Sequence, residues 1–232
     1  MLVKKWMSSP VNTVEVGTSL MDAADLFDKK VISMLPVMEK GRIVGIVTDG
    51  DIKKATPSQA TSLAVYELTS LLRKVKITQV MSKPVFSTTE DSTVEEAAQI
   101  MLMENISGMP VKDSQGHLCG IITKSDIFRC LVSFTGAARQ GQIFIVKISD
   151  SPGTIKTLTD IVRMGGGRLL SILTSYDDVE QGYRKVCMHA FDMPEENFDS
   201  AVSQLNDAGE LLFLADQTRN IRKTFGGLHE KN

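Results

Sequence analysis

The first two thirds of this chain are written twice. Met7, Pro10, Ala23, Ala24, Ile32, Ser33 and Pro36 return 74 positions later as Met81, Pro84, Ala97, Ala98, Ile106, Ser107 and Pro110. After one inserted residue the offset is 75, and Gly41, Gly45, Thr48 and Asp51 return as Gly116, Gly120, Thr123 and Asp126. A long self-match with a small gap near a turn marks a duplicated structural unit. Any fold assigned to this region must therefore be built from one supersecondary motif used twice.

The motif reads the same way in both copies. A proline-led strand is expected over Val11 to Val16 and Val85 to Thr89. Thr18-Ser19 and Ser92-Thr93 then offer N-cap side chains. Apolar residues follow at helical spacing, Leu20, Ala23, Ala24 and Phe27 in one copy and Val94, Ala97, Ala98 and Met101 in the other. A loop carrying Ile-Ser-x-x-Pro-Val is expected at Ile32 to Val37 and Ile106 to Val111. Hairpin turns at Lys40-Gly41 and Gln115-Gly116 lead into a strand starting with glycine, and a second helix is expected to begin at Asp51 and at Asp126. The unit is β-α-β-β-α, a small mixed sheet with helices on one face. Between the copies, Thr56 to Lys76 contains Leu68, Leu71, Leu72 and Val75, the stripe of a helix that packs on the repeats.

The Met-x-x-Pro lead, the Ile-Ser-x-x-Pro-Val segment and the Gly-h-h-Thr-x-x-Asp end, where h is apolar, recur in order in both copies. This pattern resembles the tandem CBS domain pair, the Bateman module, over roughly residues 1 to 135.

Two readings of Thr-x-x-Asp stand side by side. Thr48 with Asp51, and Thr123 with Asp126, have capping-box spacing, with Asp in place of the usual Glu or Gln. A carboxylate near a helix N-terminus is also favoured by the dipole. The same geometry suits a ligand: the carboxylate can accept from both hydroxyls of a ribose, and helix N–H groups favour phosphate. The family resemblance implies that Thr48, Asp51, Thr123 and Asp126 bind the ribose and phosphate side of an adenosyl ligand. It implies that Ile32, Ser33, Ile106 and Ser107 line the adenine. Lys53, Lys54 and Arg129 follow the two aspartates and are phosphate candidates, each also readable as part of a solvated helix face. AMP, ADP, ATP, NAD and S-adenosylmethionine are not distinguished by the sequence.

The last third has a different order. Strands are expected at Gln142 to Ser149, Arg168 to Ser175, Tyr183 to Phe191 and Glu210 to Ala215, with helices at Ser151 to Met164 and Pro194 to Ala208. The order βαββαβ is the ferredoxin-like arrangement. Asp150, Ser151, Pro152 and Gly153 join the first strand to the first helix and resemble the ligand loop of ACT domains. They also read as an ordinary strand-to-helix turn. Gly165-Gly166-Gly167 follows a helix, which makes it a C-cap and turn and not a phosphate loop. Met101-Leu102-Met103 reads as core in preference to a contact face. A CBS pair followed by an ACT-like domain resembles the acetoin-utilisation (AcuB-type) family.

The fold class expected is α+β, with repeat 1 and the linker helix over 1–76, repeat 2 over 77–136, an ACT-like domain over 141–217 and a polar, mobile tail over 218–232. Charge is nearly balanced, 26 Lys+Arg against 28 Asp+Glu, and no basic recognition helix is visible, which argues against nucleic acid. No apolar run approaches the roughly 20 residues of a membrane span. The N-terminus runs straight into repeat sequence, so no signal peptide is expected. Cys119, Cys130 and Cys187 are dispersed and odd in number, which suits a reducing, cytoplasmic setting and suggests neither disulfide nor metal. His117, His189 and His229 form no catalytic order, so no enzyme activity and no required cofactor are expected. The expected function is ligand sensing: a homodimer binds an adenine nucleotide or S-adenosylmethionine at the repeats and a small metabolite at the ACT-like domain. Occupancy then alters an unidentified partner protein. The alternative is an interaction scaffold, or regulatory subunit of a metabolic enzyme, that binds no nucleotide.

Overall fold

The computed structural model of the chain describes residues 1–55 and 72–226. The chain divides into two compact units, Met1–Phe128 and Arg129–Asn232.

In the first unit, repeat 1 comprises β1 (Val14–Glu15), α1 (Leu20–Lys30), β2 (Met34–Glu39), β3 (Arg42–Thr48) and α2 (Asp49–Ala55). Repeat 2 comprises β4 (Thr88–Thr89), α3 (Val94–Met103), β5 (Gly108–Lys112), β6 (Leu118–Thr123) and α4 (Lys124–Thr135). Each sheet has three strands, in order β1-β2-β3 and β4-β5-β6. The short first strand pairs parallel and the hairpin antiparallel, giving the mixed sheet expected. Ser19 caps α1 by accepting from the Asp22 N–H at 3.1 Å. Thr93 and Glu96 close a full capping box on α3. The buried face of repeat 1 joins Leu20, Ala23 and Phe27 of α1 to Leu35, Val37 and Val47 of the hairpin, with Ile52 of α2. Val94, Ala97 and Met101 do the same for repeat 2, and all three are buried.

Four expectations change here. The first strands are two residues long, not six or five, and Val11 and Asn12 line a cleft instead of pairing. The Ile-Ser-x-x-Pro-Val segments are loop only at their first residues, since Met34–Glu39 and Gly108–Lys112 are strands. Proline is tolerated there because β1 reaches only Val37 and Met38, and β4 only Val111 and Lys112. Pro36 and Pro110 thus lie where their strand has an open edge. The second helices begin at Asp49 and Lys124, two residues before Asp51 and Asp126, because the threonine takes the N-cap position and the aspartate the third helical one. Met101 is buried, but Leu102 and Met103 of the same run are exposed. Of the linker stripe, Leu68 and Leu71 lie outside the described residues, while Leu72 and Val75 pack into the core of repeat 1.

The segment leading each repeat packs on the other one. The 3-10 turn Val3–Lys5 precedes repeat 1, yet Val3 N–H donates to Ser92 O, and Ser8 bridges to Ile121 of β6. Its counterpart Ile77–Gln79 precedes repeat 2, yet Ile77 N–H donates to Thr18 O, and Ser82 bridges to Ile46 of β3. Val3 and Ile77 are both fully buried. The crossing accounts for the glycines that open the Gly-h-h-Thr-x-x-Asp motif. A Cβ at Gly120 would lie 2.3 Å from Met7 Sδ, and one at Gly45 would lie 2.3 Å from Met81 Sδ. The methionines of the Met-x-x-Pro leads therefore rest on the opposite repeat's glycines.

The second unit is one antiparallel sheet in the order β11-β10-β7-β9-β8. Its elements are β7 (Gln142–Ser149), α5 (Thr154–Met164), β8 (Arg168–Ser175), β9 (Tyr183–Phe191), α6 (Glu195–Ala208), β10 (Glu210–Asp216) and β11 (Ile221–Thr224). Alternate residues Phe144, Val146 and Ile148 of β7 are buried in one cluster with Leu158 and Val162 of α5 and Phe198 and Leu205 of α6. Gly165 caps α5 and Gly166 turns at φ 84°, the C-cap expected of the triple glycine. Asp216 ties the sheet to the turn beyond it, accepting from Gln142 Nε2, Thr218 and Arg219. Burial opposes its charge, but these donors prevail and hold the carboxyl down at about 2.

The tail expected over 218–232 is corrected in its described part, where the chain turns and returns as β11, paired antiparallel with β10; residues 227–232 lie outside the described residues. The boundary expected at residues 134–141 also moves back into α4. The Thr135 carbonyl accepts from Ser171 Oγ at 2.9 Å and lies 3.0 Å from His189 Nδ1, which places the end of that helix in the second unit.

Candidate functional site

The two Thr-x-x-Asp boxes form the same hydrogen bonds atom for atom. Thr48 donates to Asp51 Oδ2 from its N–H at 2.9 Å and from its hydroxyl at 2.7 Å. Thr123 donates to Asp126 Oδ2 in the same two ways, each at 2.8 Å. The aspartate N–H returns a bond to the threonine hydroxyl at 3.2 Å in repeat 1 and 3.4 Å in repeat 2. The box caps its helix in both places, and it uses one carboxylate oxygen to do so.

The surroundings of the boxes differ. Thr123 and Asp126 line a cleft of about 640 Å3, together with Ile32, Ser33 and Met34 from repeat 1 and Pro10, Val11 and Asn12 from the segment before it. Asp126 is 4% exposed. The floor is mixed: Phe27 and Ile121 supply apolar surface, and Ser8, Asn12, Ser33 and Ser125 supply hydroxyl and amide groups. The adenine-side pair expected in repeat 1 thus meets the ribose-side pair expected in repeat 2. Thr48, Asp51, Ile106 and Ser107 are not among the residues lining this cleft.

Of the phosphate candidates, Lys53 lines the cleft, while Lys54 and Arg129 do not. Lys53 Nζ donates to Asp49 Oδ2, and this bond, followed by the charge of Asp49, raises its pKa. Asp28, Asp49 and Val31 line the cleft as well and were not anticipated. The signal available for them is divergence between the copies, since Asp28, Asp49 and Lys53 correspond to Leu102, Lys124 and Phe128. Val31 carries a second signal. It holds a left-handed φ of 51° at the end of α1, where its counterpart Asn105 has φ 50°. A β-branched residue is an outlier there, whereas asparagine is not.

In the second unit, the loop Asp150–Gly153 is closed on itself. Thr154 Oγ1 donates to Ser149 O and Ser151 O, the Ser149 and Ser151 hydroxyls lie 2.7 Å apart, and Asp150 N–H donates to Gly182 O. Arg184 Nε sits 3.3 Å from Asp150 Oδ1, an ion-pair distance without hydrogen-bond alignment. Gly153 has φ 90° and is the N-cap of α5. The geometry is that of a strand-to-helix turn. Burial pushes the Cys119 and Cys187 thiols up, away from the thiolate. Among the described residues, no group of three or more His, Cys, Asp or Glu is placed to hold a metal ion, and no helix is long and apolar enough to cross a membrane.

Comparison with known proteins fits the duplicated unit. The CBS domain family model matches residues 3–58 and 77–133. An uncharacterized protein of Methanocaldococcus jannaschii, MJ1426, is 33% identical over 57% of this chain and 92% of its own length. A CBS domain-containing protein of Dictyostelium discoideum is 33% identical over 56% of this chain and 91% of its own length. The L-aspartate semialdehyde sulfurtransferase of M. jannaschii is 36% identical over 55% of this chain, which spans only 23% of that protein. Among solved structures, the CBS domain pair of protein MJ0100, in complex with 5′-methylthioadenosine and S-adenosyl-L-methionine, is 33% identical. It covers 60% of this chain and 98% of its own, with a TM-score of 0.48. On the strength of the two duplicated segments and of relatives matched over nine tenths of their length, the chain belongs to the CBS domain family, which it carries as a tandem pair.

Proposed function

We propose that this protein is a cytoplasmic ligand-sensing regulator that binds an adenosyl ligand in the cleft bounded by Ile32-Ser33 and Thr123–Asp126. The observation that carries this reading is the meeting of those two segments, from different repeats, around one cleft of about 640 Å3. Asp126 sits at its buried wall, and the box holds its carboxylate in place there. Apolar Ile32, Phe27 and Met34 suit a purine face, and backbone beside Ser33 suits its edge. Because the walls come from both repeats, a bound ligand stabilises one relative placement of the two, which is the differential affinity that regulation requires.

The second unit is the ACT-like part of this reading, supported by its strand order with two helices in the βαββαβ connection. The resemblance to the acetoin-utilisation family belongs here as well. A metabolite at Asp150, Ser151, Pro152 and Gly153 requires rearrangement of bonds that the loop now makes to itself. Among the described residues strand β8 pairs on one side only, with β9, which supports self-association through its other edge as a homodimer. A related pair makes up part of the M. jannaschii sulfurtransferase, and this supports a metabolic enzyme as the regulated partner.

Thermal melting of the full chain with adenosine, AMP, ADP, ATP, NAD and S-adenosylmethionine tests the proposal. A ligand at 100 times its dissociation constant adds about 2.7 kcal/mol. No shift with any of the panel at millimolar concentration returns the boxes to a capping role and favours the scaffold reading.

A further inference from the structure

Val31 stands where a helix ends in a left-handed turn. It is the C-cap of α1, with φ 51° and ψ 47°. The turn is held from both sides. Helix α1 fixes the residues before Val31, and β2 starts at Met34. Between them the Ser33 carbonyl accepts from the Asp49 N–H at 3.4 Å, which ties the segment to the start of α2. Repeat 2 makes the same turn at Asn105, with φ 50°, and there the Ser107 carbonyl accepts from the Lys124 N–H at 2.9 Å. Asparagine takes this backbone at little cost, whereas the branched Cβ of valine crowds it. Repeat 1 therefore carries a residue that its own fold penalises. Packing within the chain does not offset the penalty, because Val31 is 92% exposed and its isopropyl group lies in water. Yet Val31 lines the cleft, next to Ile32 and together with Phe27 and Met34 of the same repeat. A strained side chain that the core does not use, at the rim of a cleft, is accounted for by what enters the cleft.

On this basis, and resting on the adenosyl reading of the cleft given above, we propose that Val31 is a ligand-contacting residue whose isopropyl group closes over the outer face of the bound purine. Phe27 and Met34 are buried and supply apolar surface from within the cleft, and Val31 supplies it from the rim. The base is then covered on the side that the open cleft leaves to water. A β-branched side chain suits this task, because its χ1 is restricted and little rotamer freedom is lost on contact. Asparagine in the same place sets a polar amide against an apolar ring face. Valine at this position thus trades stability of the empty protein for cover of the filled one.

Isothermal titration of the full chain and of Val31→Asn, Val31→Ile and Asn105→Val with adenosine, 5′-methylthioadenosine, S-adenosylmethionine, AMP and ATP, beside ligand-free melts of each variant, tests this. Val31→Asn is expected to melt higher than the unaltered protein when empty and to bind about tenfold more weakly, equivalent to about 1.4 kcal/mol. Val31→Ile keeps the apolar, branched side chain and is expected to bind within about twofold of the unaltered protein. Asn105→Val is expected to melt lower and to bind unchanged. Val31→Asn binding as tightly as the unaltered protein overturns the role of Val31 while leaving the adenosyl site standing. Weakening of the same size in Val31→Ile or in Asn105→Val also overturns it, because disturbance of a helix end would then be sufficient. No heat from any of the five compounds with the unaltered protein overturns the site itself, and the role of Val31 with it.

Discussion

The boxes at Thr48–Asp51 and Thr123–Asp126 make the same bonds at nearly the same distances, yet Asp126 is buried against a cleft that Asp51 does not line. What differs lies outside the box. Ile32, Ser33, Asp28 and Asp49 approach the second box, and their counterparts are Ile106, Ser107, Leu102 and Lys124. A repeated motif therefore specifies a helix start, whereas a binding site is specified by what the other repeat brings to it.

The largest separation between the boxes is expected from Asp126→Ala and Asp51→Ala. Each leaves a threonine N–H and hydroxyl without their acceptor, costing about 1–3 kcal/mol in either repeat. Only Asp126→Ala is expected to abolish the ligand-induced melting shift, about 2.7 kcal/mol at 100 times the dissociation constant. Equal loss of that shift in both variants would break the comparison.

A smaller, symmetric effect is expected where the repeats cross. Gly120→Ala and Gly45→Ala each drive a methyl group into a methionine side chain, Met7 or Met81, with an overpacking cost of about 1–3 kcal/mol. Met7→Ala is expected to rescue Gly120→Ala and not Gly45→Ala, and Met81→Ala the reverse. Denaturant melts of the four single and four double variants measure the coupling.

The smallest effect is an exchange at the ends of α1 and α3. Val31→Asn removes a β-branched residue from a left-handed conformation at a site 92% exposed, so stability rises by about 1 kcal/mol. Asn105→Val at the equivalent position is expected to lose a similar amount. A loss from Val31→Asn in the absence of ligand would show that the Val31 side chain contributes packing that its exposure conceals.

Much of the local structure was legible. The strands Gln142–Ser149, Arg168–Ser175 and Tyr183–Phe191 lie over the expected residues, and the first of them alternates buried with half-buried side chains over 142–148. The caps at Ser19 and Thr93 were readable because one side chain and the next turn of helix decide them. What escaped was decided at a distance. Ile221–Thr224 contains one apolar residue, and it becomes a strand because Asp216 turns the chain back onto β10. The loop assigned to Pro36 and Pro110 failed because the open edge beside each proline depends on how far a two-residue partner strand extends. The cleft combined half of the expected ligand residues, and no periodicity announces that Ser33 and Asp126 line the same space. Divergence between otherwise matched positions was the trace left in the sequence, at Asp28, Asp49 and Lys53.

The crossing of the leading segments has a consequence for synthesis. A ribosome delivers the chain from its N-terminus, so Val3 and Ser8 emerge long before their partners Ser92 and Ile121. Repeat 1 in turn lacks Ile77 and Ser82 until the linker has passed. Repeat 1 is thus made before its closing segment, and repeat 2 after its own. The first must wait for the start of the second, and the segment holding Val3 and Ser8 waits for Ser92 and Ile121.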